Sequence, residues 1–387
     1  MTARNIPVLA SLSMRHDAVS ATRTPPRRWW VAMLLTCLLA TIGQLAQAED
    51  YRLVTVADEL HWPWSVAKLP EGGFLITERE GRLVHLEDSG ERHVLEGTPE
   101  TLFAGQGGYF DVLLHPAFTE NSLIYLSYAE GQETANGTAI FRAEFRGGKL
   151  LNGERILRVA QDKTTPQHYG ARMMFLEDQT LLVTTGDGFE HREEAQSRDS
   201  ELGKVLRIYD DGSPAGLLDE EGEPQRIWTL GHRNPQGLAF DASSGTVYLH
   251  EHGPRGGDEI NRLEGGNNYG WPAVTHGVDY SGAYVSPFKA APGFEDPVWT
   301  WVPSIAPSGM AWYGGGSFPS WHNSLFIGAL VDQEVRRLEL QDGKVVKEDA
   351  LFSELETRIR DVRVFGDEIY LLTDSERGAL IRVQSVR

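Results

Sequence analysis

Arg233, Arg358 and Arg360 put three permanent positive charges into a chain otherwise rich in acid. Arginine presents a planar fork of donors that meets carboxylates two bonds at a time. Three such forks in one place call for a ligand with several carboxylates; taken singly, they could instead pair with neighbouring Asp and Glu. His168 titrates near neutral pH, which makes it a candidate general base, although a lone histidine is often structural. His250 and His252 stand two apart on a strand-like segment, so both face one side. That spacing suits a zinc pair. The Gly253-Pro254 turn beside them offers backbone oxygens that suit calcium, with Asp258 and Glu259 close by to balance charge. Trp62, Trp64, Trp271, Trp299, Trp301 and Trp312 lie in or near turns. Their faces pack either on sugar rings and planar cofactors or on one another in a core. No Walker loop and no Gly-x-Gly-x-x-Gly fingerprint follows a strand, which disfavours nucleotide cofactors.

These residues need a frame, and the sequence supplies one by repetition. A three-beat unit recurs six times. The first beat is a short apolar strand around Val66, Val112, Met173, Leu238, Met310 and Val362. The second follows a Gly, Asp or Asn turn: Phe74-Leu75-Ile76, Leu123-Ile124-Tyr125, Leu181-Leu182-Val183, Thr246-Val247-Tyr248, Ser324-Leu325-Phe326 and Glu368-Ile369-Tyr370. The third begins near Arg82, Ala139, Lys204, Glu259, Val335 and Ala379. Val, Ile, Leu, Phe and Tyr broken by Gly and Asp make strands, and no long segment has a helical period. First-beat anchors fall 46, 61, 65, 72 and 52 residues apart, the size of propeller blades. The fold expected is all-β: a six-bladed β-propeller of four-stranded antiparallel blades. Tyr51 to Val56 would add the outer strand of the last blade and close the ring. A pair of β-sandwiches is the alternative.

If the first beat is the innermost strand, its start and the end of the second beat share one face of the ring. The unusual polar motifs fall there. Gln106-Gly107-Gly108, Gln167-His168-Tyr169-Gly170 and Gly231-His232-Arg233-Asn234-Pro235-Gln236 precede the first strands of blades two, three and four. Trp301 to Pro307 precedes that of blade five, and Arg358-Ile359-Arg360-Asp361 enters that of blade six. His250 to Pro254 ends the second beat of blade four. Distant segments therefore converge on one mouth of the central channel.

The net charge is −19; residues 1–48 carry five Arg and one Asp, a share of +4, so the remainder stands at −23. That disfavours nucleic acid and anionic membrane surfaces as partners and tolerates a neutral sugar and bound cations. Residues 1–48 read as a cleaved signal peptide: Arg27 and Arg28, an apolar run from Trp29 to Ile42, then Ala46-Gln47-Ala48 at peptidase spacing. A membrane anchor is the other reading, but the run is short for ~30 Å of hydrocarbon. A periplasmic or secreted location follows. The one cysteine, Cys37, lies inside the leader, so residues 49–387 must hold themselves by a core.

Seven stretches carry a resemblance: Ser65–Leu86, Gly105–Phe118, Leu202–Ile208, Gly231–Phe240 (GHRNPQGLAF), Glu251–Pro272 (EHGPRGGDEINRLEGGNNYGWP), Pro303–Gly309 and Ile359–Val362. Through them the chain resembles the soluble aldose (glucose/sorbosone) dehydrogenases that depend on pyrroloquinoline quinone (PQQ). The resemblance implies that PQQ lies flat over the channel mouth and that aldoses are oxidised to lactones at the anomeric carbon. His168 matches the base that takes the anomeric hydroxyl proton, while hydride passes to quinone C5. Arg233 and Asn234 match residues at the quinone oxygens, and Arg358 and Arg360 match PQQ-binding arginines. The carbonyls of Gly253 and Pro254 match ligands of a Ca2+ ion that polarises the quinone. Gln106 and Trp301 match substrate-side residues, and an external acceptor must take the electrons.

The chain also departs from the family. Val331 stands where glucose-type members have a PQQ-binding lysine, and Gln167 stands where an acid precedes the base. Asp279 alone is kept from a calcium pair at a dimer interface. Two rival functions remain at this stage. One is a metal-dependent lactonase or esterase using His250, His252 and acidic loops. The other is a non-catalytic carbohydrate- or protein-binding propeller, which would not need His168.

Overall fold

The structure, a computed structural model, describes residues 51–386. The leader expected at residues 1–48, with Cys37, lies outside them. Each of the six apolar anchors falls on the innermost strand of its own sheet. Blade one is β2 (Pro63–Lys68), β3 (Phe74–Glu78), β4 (Arg82–Leu86) and β5 (Arg92–Val94); blade two is β6 (Tyr109–Leu114), β7 (Leu123–Gln132), β8 (Ala135–Arg146) and β9 (Lys149–Arg158). Blade three is β10 (Gly170–Phe175), β11 (Leu181–Thr185), β12 (Lys204–Ile208) and β13 (Ile227–Leu230); blade four is β14 (Pro235–Asp241), β15 (Thr246–Glu251), β16 (Asp258–Leu263) and β17 (Trp299–Trp301). Blade five is β18 (Pro307–Tyr313), β19 (Ser324–Ala329), β20 (Glu334–Gln341) and β21 (Lys344–Leu351). Blade six is β22 (Ile359–Phe365), β23 (Glu368–Thr373) and β24 (Gly378–Ser385), completed by β1 (Tyr51–Leu60) from the other end of the chain. β1 pairs antiparallel with β24, from Tyr51 opposite Ser385 to Leu60 opposite Gly378. Neighbouring inner strands touch all the way round, β22 meeting β2, so the ring is closed. The six-bladed propeller is the fold.

A four-stranded sheet has two apolar faces, and stacking buries both. Six buried clusters fill the six gaps. Leu75 and Leu83 meet Tyr109 and Val112 between blades one and two, and Tyr125 meets Met173 between two and three. Val205 meets Leu249, Tyr248 meets Met310, and Phe326 meets Val362 in the next three gaps. Leu372 meets Ile76 across the closing gap. Among the described residues no helix is long and apolar enough to cross a membrane.

The inner strands share a further detail. Each shifts register immediately after its first residue, between Pro63 and Ser65, Tyr109 and Val112, Gly170 and Met173, Pro235 and Gly237, Pro307 and Met310, and Ile359 and Asp361. Such bulges re-aim side chains. Here they send one residue up and the next down the axis. Trp64, Phe110, Gln236 and Arg360 line a cavity at the mouth. Ser65, Asp111, Arg172 and Asp361 fill the channel beneath, all at most 2% exposed.

Below the mouth, Arg172 lies 3.3 Å from Asp111 and 3.2 Å from Asp361, while Arg363 bonds Asp361 at 2.7 Å and also pairs with Asp111. Ser65 donates to Asp111 at 2.6 Å, Met173 N–H donates to it at 2.9 Å, and Arg172 reaches the Gln236 carbonyl at 2.9 Å. Blades one, two, three, four and six are tied at one point. Second-strand hydroxyls add a rung between blades: Thr77, Ser127 and Thr184 each accept an N–H from their own inner strand and donate to a carbonyl of the next blade.

Burial alone would raise the Asp111 carboxyl; Arg363, Arg172 and Ser65 hold it below the usual carboxylate range. Its stabilising effect is therefore complete above the unfolded value, about 4, and is lost as pH falls through the lower folded value. Asp111→Ala leaves buried Arg172 and partly buried Arg363 on one aspartate, for an expected loss of about 3–5 kcal/mol. Urea denaturation of parent and variant measures it. A midpoint unchanged by the substitution would remove this network as a support of ring closure.

Candidate active site

Gly170 and the end of β11 bring the blade-three loop back over the mouth, and the chain turns there with His168 at a φ of +49°. The turn is possible because Gly186 lies against it: a Cβ at 186 would sit 2.0 Å from the His168 carbonyl oxygen. Gln106, from the loop before β6, accepts the His168 N–H at 2.8 Å. His168 Nδ1 lies 2.7 Å from Asp187 Oδ1, and Asp187 Oδ2 accepts the Trp271 indole N–H at 2.8 Å. A carboxylate only accepts, so Nδ1 carries the proton and Nε2 keeps its lone pair. Burial lowers the His168 pKa; Asp187 pulls it back up and Arg233 lowers it. The imidazole is thus neutral near pH 7, as a proton acceptor must be.

Arg233 is nearly buried, with its guanidinium 5.3 Å from the Trp271 ring centre and 5.9 Å from that of Tyr280. Its Nη1 donates to the carbonyls of Gly253 at 2.7 Å and His252 at 3.2 Å. Asn234 Oδ1 accepts the Gly170 N–H at 3.2 Å, which leaves its amide N–H2 as a donor beside the cavity. Arg358 and Arg360 both reach Asp374: Arg358 Nε at 2.8 Å on one oxygen, Arg360 Nη2 at 3.0 Å on the other.

The cavity at the mouth has a volume of about 530 Å³, within the usual range for a small-ligand site. Arg79, Arg358, Arg360, Asp374, Gln106 and Asn234 are in its wall, with Trp62 and Trp64 as aromatic surface. Clefts of about 570 and 600 Å³ lie elsewhere, lined around Leu69–Gly72 and Leu217–Glu221, and neither gathers such a set of cations. Three guanidiniums against one carboxylate fit a planar ligand with several carboxylates.

Of the residues named from sequence, Gln106, Asn234, Arg358 and Arg360 line this cavity, while His168 and Arg233 stand behind its wall, His168 bonded to Gln106 and Arg233 to the His252 carbonyl. Trp301 is not brought there. It is buried in the core between blades four and five and donates its indole N–H to Glu348 at 2.8 Å. The spacing of the Trp301–Pro307 segment gave the right loop but not the side-chain direction; Trp62 and Trp64 take the aromatic place. Gln167 serves through its backbone, its carbonyl accepting from buried Lys163 at 2.7 Å. The His250 and His252 side chains do face one side, and what they meet there is blade five. His250 packs on Gly237, where a Cβ would lie 2.2 Å from Nε2, and faces the Ser308 backbone. It stands at the strand position of Thr77, Ser127 and Thr184, but neither of its ring nitrogens has a hydrogen-bond partner there. His252 Nε2 donates to the Pro307 carbonyl at 2.6 Å. Neither residue has the further His, Cys, Asp or Glu ligands spaced around it, among the described residues, that a zinc site needs. Among the described residues the one His/Cys/Asp/Glu group spaced for a metal is Glu87, Glu91 and His93, at the edge of blade one and away from the mouth.

The two carbonyls expected to hold calcium are less simply placed. The Gly253 oxygen already accepts from Arg233, and the carboxylate bonded to this turn, Asp258, is spent on Gly253 N–H, Ser304 and the Ile305 and Ala306 N–H groups. Calcium takes six to eight oxygens, so this turn alone does not fill its shell.

A six-bladed propeller with a buried His–Asp pair beside a cationic cavity defines a class of site, and comparison with known proteins identifies the family. The glucose/sorbosone dehydrogenase family matches residues 60–382. The aldose sugar dehydrogenase YliI of Escherichia coli strain K12 is 39% identical over 360 residues, covering 90% of this chain and 96% of that protein. The solved apo form of the soluble E. coli aldose sugar dehydrogenase superposes with a TM-score of 0.83 at 37% identity, covering 87% of this chain and all of that one. The PQQ-bound aldose sugar dehydrogenase of Streptomyces coelicolor superposes with a TM-score of 0.71 at 26% identity, covering 87% and 99%. The chain belongs to the glucose/sorbosone dehydrogenase family, a family of sugar-oxidising enzymes.

Asp187 raises the His168 pKa against burial, so its removal has a signed effect. In Asp187→Asn the His168 value is expected to fall further, and the Trp271 indole N–H to lose its charged acceptor. Titration of the His168 ring by NMR, with the indole proton shift alongside, reads both. A rise in the His168 value would refute the pairing.

Proposed function

We propose that this protein oxidises aldose sugars at the anomeric carbon with PQQ as the hydride acceptor and His168 as the base. One observation carries the proposal: a histidine fixed at Nδ1 by a buried aspartate is held at its backbone by Gln106, which lines a cavity with three arginines and one carboxylate in its wall. When bound, the quinone supplies the electrophilic carbon that accepts hydride, and calcium would polarise it.

The chain's own residues then have separate tasks. Asp187 holds the imidazole so that Nε2 takes the anomeric O–H proton, and it stabilises the imidazolium that results. The anomeric C–H leaves with its electron pair, the carbon becomes the lactone carbonyl, and the proton stays on His168 until solvent removes it. Arg233 and the Asn234 amide place donors where negative charge develops on the acceptor's oxygens. Arg358 and Arg360 bind carboxylates with the N–H groups that Asp374 does not occupy. Gln106 fixes the backbone of the base. Calcium belongs to the same proposal, and the Gly253 and Pro254 carbonyls would be its protein ligands. Export is proposed with it: mass spectrometry of the periplasmic or secreted protein should find an N-terminus at Glu49.

Purified apo protein should gain the bound-cofactor spectrum and reduce dye with aldoses when given PQQ and calcium. His168→Ala should lower turnover about 10²–10⁴-fold while still binding PQQ; wild-type turnover in that variant would refute the base. Chelation should abolish activity and calcium should restore it. Restoration by zinc alone, lost on replacing His250 and His252, would favour a metal-dependent lactonase instead.

A further inference from the structure

Arg79 is the cation at the mouth that the sequence motifs do not single out. It follows β3 directly, and its main chain is pinned on both sides: its N–H donates to Trp62 and its carbonyl accepts from Tyr109, each at 3.1 Å. The side chain is oriented as well. Nη2 donates to the carbonyls of Gly105 at 2.7 Å and Gly107 at 3.1 Å, and the guanidinium rests 5.5 Å from the Phe103 ring centre. Arg358 and Arg360 share Asp374, yet Arg79 has no ion-pair partner among the described residues. Burial disfavours its charge, the neighbouring Arg360 disfavours it further, and only Asp374 favours it.

A half-buried cation, held rigidly beside a like charge and with no carboxylate in ion-pair contact, is unfavourable unless an anion shares the site. The wall carries two more positive charges than negative. From this geometry we propose that Arg79 is a third arm of the clamp, binding a carboxylate of the planar cofactor. In this chain the clamp has no lysine at Val331, whose side chain is 59% exposed. The inference rests on the PQQ reading above.

The alternative is that Arg79 only shapes the Gly105–Gly107 loop, and with it Gln106 and His168. Arg79→Gln separates the two, because the amide keeps an N–H donor for those carbonyls and loses the charge. Apo wild type, Arg79→Gln, Arg79→Lys and Arg360→Ala would be titrated with PQQ by tryptophan quenching, at two salt concentrations, beside melting curves. The expected result is a Kd about 10- to 100-fold weaker for Arg79→Gln, a shallower salt dependence, partial recovery in Arg79→Lys and an unchanged melting temperature without PQQ. Wild type and Arg79→Gln binding equally, with Arg360→Ala impaired, overturns the role of Arg79 and leaves the cofactor reading intact. No PQQ binding by wild type overturns that reading and this inference together. If Arg79→Gln unfolds, Arg79→Lys decides: a folded lysine variant with no measurable binding overturns the role of charge.

Discussion

Two arginines and two aspartates share the axis of the ring; Arg172, Asp111 and Asp361 are buried from water and Arg363 is only partly exposed. Arg172 and Arg363 interleave with Asp111 and Asp361, drawn from blades two, three and six. A buried ion pair is seldom a net source of stability against an apolar replacement, yet losing one partner is costly. The network therefore acts as a condition more than as a glue: Arg363 and Asp361 pair within β22, but all of these blades must be in place before Arg172 and Asp111 have their partners. Apolar packing between blades is tolerant of small shifts, whereas a charge 3.2 Å from its partner is not. The axis fixes where each inner strand stands, and the closure of β1 on β24 completes the ring around it.

The same geometry builds the site. Each inner strand carries a bulge at the mouth end, and the residues there divide between two directions. Trp64 and Ser65, Phe110 and Asp111, and Arg360 and Asp361 are adjacent pairs with one member in the cavity wall and the other in the network. Trp64 shows the link directly, since it lines the cavity and also packs on Arg172, whose guanidinium lies 4.3 Å from its ring centre. A rearrangement in the channel would thus tilt the floor on which a ligand rests. The site is preorganised from below by ions and from the side by loops such as Gln106 and Asp187, which clasp His168 at its backbone and at Nδ1.

The repeat was legible because blade chemistry is local. Apolar runs ended by Gly and Asp announce strands, and all six first beats, all six second beats and the closing strand fall where periodicity placed them. What periodicity does not carry is the direction of a side chain at an irregular position. Trp301 sits in the predicted loop but turns into the core, and His250 packs on Gly237 at the blade-five side of its sheet. The shared role of Ser65, Asp111 and Arg172 with Asp361, itself named only as the end of the Arg358–Asp361 motif, escaped notice because a bulge breaks the alternation that would reveal a shared face. Asp187, Arg79 and Asp374 were within reach. Each stands just past the second beat of its blade, the position that singled out the His250–Pro254 segment in blade four. Applied to every blade, that rule finds the partner of the base, the uncommitted arginine and the acid between Arg358 and Arg360.

The rival chemistries differ in the sign of charge they need at the mouth. A metal-dependent hydrolase gathers carboxylates and open imidazoles around its ion. Here the acids are already committed: Asp187 to His168 and Trp271, Asp258 to the Gly253 and Ile305 backbone, Asp374 to two arginines. His252 donates to a carbonyl. What remains uncommitted is cationic or amide N–H, and such groups select an anionic ligand. The protein as a whole is strongly acidic, at a net −19, so this wall is a local reversal of its own field. A surface of that sign repels small anions at long range, which leaves recognition to short, directional contacts inside the cavity. Three arginine forks with fixed orientations favour a rigid, planar, multiply charged molecule over a flexible or singly charged one, because each further contact on a rigid ligand adds little ordering cost. The neutral imidazole held beside them is then matched to a second, uncharged reactant that must give up a proton.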